Sequence, residues 1–185
     1  MVIFVLLLTT FTNNIITLLL AKSQKSTFFF YNLDTLTETL MLYYFFSKSL
    51  NSKLIKKVLL ALAIIYVVRW IRQYIIFGNA GYYTDLQAIE AITVILLSIY
   101  YFYEQIRNID QLFIYAQPKF WVVSAYFIFF AGTFFLLLYI STLSNEEQKT
   151  YYYLNYIFMI VRTILLSIGM LMKRDVSIAK NYTIS

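Results

Sequence analysis

The sequence has no cysteine and no histidine, and only one proline and four glycines in 185 residues. Without cysteine there is no disulfide framework. Without cysteine and histidine the common ligand sets for zinc, haem and iron–sulfur clusters are missing too. So few prolines and glycines exclude collagen-like and linker-like chains. Charge is also scarce: 13% of residues are Asp, Glu, Lys or Arg, against roughly 25% in a soluble domain. Apolar residues make up 61% of the chain, and 20% of residues are aromatic. Apolar surface in this excess is stable in lipid rather than in water, so the composition predicts a membrane protein.

About 20 apolar residues in a helix cross a bilayer. Six stretches of that order occur: Val2–Ala21, Thr27–Ser47, Val58–Phe77, Tyr83–Ile106, Lys119–Leu143 and Tyr151–Met172. Polar turns separate them, including Lys22–Lys25, Asn51–Lys53, Gly78–Gly81 and Ser144–Thr150. The turn from Arg107 ends on Pro118, the only proline and a favourable first residue for a helix. The pattern predicts an all-α, six-helix transmembrane bundle, one integral membrane domain over residues 1–185.

The second stretch is the most polar, with Asn32, Asp34, three threonines and Glu38 between two aromatic clusters. At about 100° per residue, Tyr31, Asp34, Thr35 and Glu38 share one helical face, and Phe29, Leu33, Leu36 and Leu40 line the other. A central acid costs about 2.5–3.5 kcal/mol on insertion, so this helix is expected to enter with partner helices. The alternative is a helix lying in the interface. The first stretch opens on Met1-Val2-Ile3-Phe4 with no basic residue, which reads as a retained helix rather than a signal peptide.

Orientation follows from the 15 basic residues. Lys48, Lys53, Lys56, Lys57, Arg107, Lys119, Lys173, Arg174 and Lys180 fall on the side of the amino terminus, and Lys22, Lys25 and Lys149 on the other. The positive-inside rule then places both termini in the cytoplasm. The net charge of +6 is thus a topology signal with some attraction to anionic lipid. Basic residues dispersed over short loops and a tail form no nucleic-acid-binding patch.

The remaining arginines, Arg69, Arg72 and Arg162, lie inside spans, as do Asp34, Glu38 and Glu90. An ionisable residue there normally faces the bundle interior or a wet cavity. Counted at about 1.5 Å per residue, all six belong to the outer half or the midplane. Arg69 and Arg72 share a face with Tyr66 and Gln73, Glu90 with Gln87 and Ser98, and Arg162 with Asn155 and Gly169. Three acids balance three arginines. The pattern predicts one outward-opening polar core among helices two, three, four and six, with Asp85 near its mouth and Glu104 at the cytoplasmic end of helix four. An ion-pair network that orders the helices is one reading. A ligand pocket is another: Arg69, Arg72 and Arg162 hold an anionic group, Asp34, Glu38 and Glu90 orient them, and Tyr31 and Tyr66 form walls. A proton path through the carboxylates is the third.

Enzyme signatures are missing: there is no G-x-S-x-G elbow, no phosphate-binding G-x-x-x-x-G-K-[ST] loop and no histidine-based metal helix. Neither a metal nor another cofactor is expected. Glu146-Glu147 reads as part of a solvated outer loop. Asn181-Tyr182-Thr183 matches a glycosylation sequon but falls on a cytoplasmic tail.

Tyr31-Asn32 with Glu38, Tyr101-Phe102-Tyr103-Glu104, Pro118-Lys119-Phe120-Trp121 and Gly132-Thr133-Phe134-Phe135 together resemble a pattern found in small bacterial multi-span membrane proteins. The resemblance covers about Thr27 to Met172. Such proteins are similar to the membrane sensor portions of signalling kinases. The resemblance implies a bacterial cell (inner) membrane location and a non-enzymatic sensory or regulatory subunit. Its expected ligand is small and polar or lipid-like, bound in the charged core. Signalling would run through a cytoplasmic partner near Lys53–Lys57 or Lys173–Lys180. The alternative is a small secondary transporter or proton-coupled carrier. That would call for helix breaks, and these spans hold almost no glycine or proline to make them.

Overall fold

The structure, a computed structural model, describes residues 2–22, 27–78, 81, 83–107, 114–139 and 145–172. Among them the chain is all-α. Six helices follow one another: α1 (Val2–Lys22), α2 (Phe28–Ser49), α3 (Lys53–Phe77), α4 (Thr84–Arg107), α5 (Pro118–Tyr139) and α6 (Asn145–Leu171), with one 3₁₀ turn at Ile114–Ala116 before α5. The expected partner segment Lys173–Lys180 and the sequon lie outside the described residues.

Two helix starts differ from the sequence expectation, for one reason: apolarity marks the lipid-matched part of a helix, whereas caps mark its end. α3 begins at Lys53, five residues before Val58, because the Ser52 hydroxyl accepts the Ile55 N–H at 3.4 Å. α6 begins at Asn145, six residues before Tyr151. Glu146 and Glu147 therefore belong to helix α6 and not to a loop. α3 ends on Gly78, whose φ of +54° suits glycine and whose N–H reaches the Tyr74 carbonyl at 2.9 Å.

The chain divides into two compact units, Met1–Thr93 and Val94–Ser185, with the boundary inside α4. In the first, α1 packs on α2 and α2 on α3. Leu42, Phe46, Leu59, Tyr66 and Leu86 are buried there, each with at most 2% of its surface exposed. In the second, α5 and α6 form an antiparallel hairpin with close backbone approach. Gly132 of α5 takes the Phe158 ring, and Gly169 of α6 takes the Trp121 Cβ and the Pro118 carbonyl. Gly132 and Trp121 stand eleven residues apart on α5, as Phe158 and Gly169 do on α6. Three helical turns thus keep one register.

Large apolar side chains are exposed along whole helices. Phe4, Leu8, Phe11, Ile15 and Leu19 form a stripe on α1, and α3 buries only Leu59 and Tyr66 among its described residues. Among the described residues, α4 and the Tyr153–Leu171 part of α6 are long and apolar enough to cross a membrane, and Pro118–Phe134 is a shorter apolar helix. Eight threonine and serine hydroxyls inside the helices are satisfied locally. Thr35, Thr37, Thr39, Thr93, Ser98, Thr133, Thr163 and Ser167 each donate to the carbonyl four residues earlier, at 2.7–3.0 Å. The three threonines that made the second stretch look polar therefore carry little desolvation cost.

Candidate functional site

Asn32, on the second turn of α2, is 2% exposed. A buried amide without partners costs several kcal/mol in an apolar setting, and this one is hydrogen-bonded through both its nitrogen and its oxygen. Its Nδ2 donates to the Gly81 carbonyl at 3.0 Å, and its Oδ1 accepts the Tyr83 N–H at 3.2 Å. Its main-chain carbonyl accepts the Trp70 indole N–H at 2.9 Å. One residue of α2 thus ties α3 and the segment entering α4 together. Trp70 stacks on Tyr74, centroids 5.6 Å apart, and meets Tyr83 edge-on at 6.4 Å. The Tyr83 hydroxyl closes the turn by donating to the Gly78 carbonyl at 2.7 Å.

Deeper in the same unit, the buried Tyr66 hydroxyl donates to the Leu86 carbonyl at 3.4 Å, with Thr39 close by. Tyr43 is hydrogen-bonded to Thr93. Glu90, 3% exposed, lies close enough to act electrostatically on both tyrosines, and Glu38 acts on Tyr66. Of the residues singled out from the sequence, Glu38 and Glu90 therefore lie within electrostatic range of Tyr66.

The others are distributed differently. Arg69 donates from Nη2 to Asp85 Oδ2 at 2.9 Å, an ion pair whose side chains are 45% and 43% exposed. Gln73 Nε2 donates to the same oxygen. Arg72, one turn beyond Arg69, is exposed and makes no hydrogen bond or ion pair among the described residues. Asp34 turns toward α1, where Asn13 Nδ2 donates to it at 2.9 Å. Tyr31 is 39% exposed. Arg162 belongs to the second unit, its guanidinium 4.2 Å from the Phe129 ring centroid and 5.5 Å from that of Tyr126.

The crevice among Asn32, Thr35, Tyr66, Trp70, Tyr83 and Leu86 holds about 140 Å³ of empty space and admits no water-sized molecule. It is a packed joint rather than a chamber. The accessible chemistry of this unit's α3–α4 end is instead a half-exposed guanidinium held by a carboxylate, with a second exposed arginine three residues along α3. Such a pair can take a carboxylate or phosphate through charge-assisted hydrogen bonds. Among the described residues, no group of three or more Asp, Glu, Cys or His side chains could hold a metal ion.

Sequence reasoning passed over Asn13 and the pinning role of Asn32, and it placed Gln73 on the Arg69 face without naming Asp85 as its partner. The available signal was that an amide inside an apolar helix needs a partner on another segment. No family model matches this chain, and no curated protein or solved structure does.

Proposed function

We propose that the chain is a six-span, non-enzymatic sensory or regulatory subunit of a bacterial cell membrane, with both termini cytoplasmic, that responds to a small anionic or lipid-like ligand at the outer end of α3 and α4. The observation that carries this reading is the contrast between Arg69 and Arg72. Arg69 is tied to a half-exposed Asp85, and Arg72 sits exposed one turn away with no ion pair among the described residues. An incoming anion accepts from Arg72 and competes with Asp85 for Arg69. Because α3 and the entry to α4 are both hydrogen-bonded to Asn32, exchanging that counter-ion biases the joint on which α2 rests. Lys53–Lys57, at the far end of the same α3, is where a cytoplasmic partner would read the shift. The membrane part of the reading is supported by the exposed apolar helix faces, the back-bonded hydroxyls and the distribution of lysines and arginines.

The natural absence of cysteine makes the test direct. Single cysteines at Ser23, Asn79 and Ser144 should react with a membrane-impermeant maleimide on intact cells. Those at Asn51, Asn108 and Ser185 should react only after permeabilisation. For the ligand site, sulfate at constant ionic strength should raise the thermal midpoint of the purified wild-type protein. It should raise that of the Arg72→Gln variant much less. An equal response in both proteins would remove the anion site.

A further inference from the structure

A second opening lies at the opposite end of α3 from Arg72. Between the last turns of α2 and the first turns of α3 runs a groove of about 400 Å³, lower in the range of small-molecule sites, roughly 300–1,000 Å³. Its floor is Tyr43 and Leu59, only 3% and 2% exposed, and Ala63 forms a side. Tyr44, Lys48 and Lys56 also line it, all exposed, and the Lys48 ammonium stands 5.7 Å from the centroid of the Tyr44 ring. The lining is therefore mostly apolar, with two cations at its rim and the Ser47 hydroxyl, which is spent on the Tyr44 carbonyl at 2.7 Å.

Those cations are not neutralised nearby. Lys48, Lys53, Lys56 and Lys57 form no ion pair among the described residues. The nearest acid along α2, Glu38, lies ten residues before Lys48, about 15 Å away along the helix. Helix stability accounts for Lys48, which sits in the last turn of α2 where the dipole favours a cation, but not for Lys53, Lys56 and Lys57. α3 has no acid in its first turn and begins with lysines, against the sign its dipole favours. Topology alone explains lysines at this end, but not an apolar groove lined by two of them.

We infer that this groove seats an anionic phospholipid, with its phosphate between Lys48 and Lys56 and one acyl chain on the apolar floor. A soluble anion would leave the floor unused, and a neutral lipid would leave both lysines unmatched. An amphiphile with one negative headgroup satisfies both halves. The inference rests on the membrane placement proposed above but not on the Arg69–Arg72 site.

The test uses the full chain in nanodiscs of equal parts phosphatidylglycerol and phosphatidylcholine, released into a native mass spectrometer that counts the lipids retained. Wild type should keep phosphatidylglycerol over phosphatidylcholine. The Lys48→Gln/Lys56→Gln pair should lose that preference by about fivefold for each lysine. Lys53→Gln/Lys57→Gln removes the same charge away from the groove lining and should keep most of the preference. Ala63→Phe, which fills the groove and leaves the charges intact, should reduce retained lipid. Equal losses in the two lysine pairs would reduce the effect to general surface charge and overturn the inference. So would a dimer abolished by Ala63→Phe with lipid retention unchanged, which would give the groove to a second copy of the chain. A protein that fails to enter nanodiscs defeats the membrane reading itself. One that enters without lipid preference defeats only this site.

Discussion

The Trp70 indole N–H meets the main-chain carbonyl of Asn32 at 2.9 Å, and the Asn32 side chain reaches on to Gly81 and Tyr83. Three segments of the first unit therefore depend on one amide. A helix carbonyl already committed to its own ladder takes this second donor, which fixes the rotation of α3 against α2 as well as their separation.

Asn32→Ala should accordingly cost about 2–4 kcal/mol. It deletes two hydrogen bonds and leaves the Tyr83 N–H and Gly81 carbonyl to find other partners, at about 1–3 kcal/mol each when buried. In a Trp121→Phe background Trp70 is the sole tryptophan of the chain. Its fluorescence should report both a lower unfolding midpoint and a changed indole environment in the folded protein. An unchanged midpoint would mean that the Asn32 side chain is not what holds the segment entering α4 to α2.

Gly132→Ala tests the second unit. A Cβ at this position would come within 2.3–2.6 Å of the Phe158 ring, a contact that forces either the ring or the helix to move. The expected loss is about 1–3 kcal/mol, as for other overpacked cores. Phe158→Leu in the same protein should recover much of it, a coupling that a double-mutant cycle measures directly. Gly169→Ala meets its nearest atoms at 3.2 Å and should cost less than Gly132→Ala.

Helix existence was legible in the sequence because long apolar runs have few other uses, and Pro118 marked the start of α5 to the residue. Helix ends were less legible. Ser52 extends α3 over three lysines, and α6 runs six residues back into what reads as a polar loop. Partner choice was the least legible. A helical wheel puts Asp34 and Arg69 on faces, but it does not say that Asn13 stands opposite the first or that Asp85, at a helix start, captures the second. Those outcomes depend on which helices become neighbours, and apolar periodicity is nearly silent about that when most of each helix surface is apolar.

Arg162 was legible as an arginine that must find company inside a span, but sequence alone could not name the company. Its guanidinium lies over Phe129 and Tyr126, an arrangement worth about 0.5–2 kcal/mol. Arg162→Gln should lower the unfolding midpoint while leaving the sulfate response of the Arg69–Arg72 end intact. Loss of that response would instead return Arg162 to the ligand site.

Asp85→Asn separates stability from recognition at the α3–α4 end. Both partners of its ion pair with Arg69 are nearly half exposed, so solvent screens their attraction. Pairs of this kind contribute about 0–1 kcal/mol. The unfolding midpoint should therefore barely move. The response to sulfate should nevertheless increase, because Arg69 no longer has a carboxylate to give up before it can hold an added anion. Arg69→Gln should reduce the response and leave the midpoint equally unaffected. In the double variant, the gain from Asp85→Asn should vanish, since that gain acts through Arg69. If Asp85→Asn instead unfolds the protein, the pair holds the helices together and does not gate an anion.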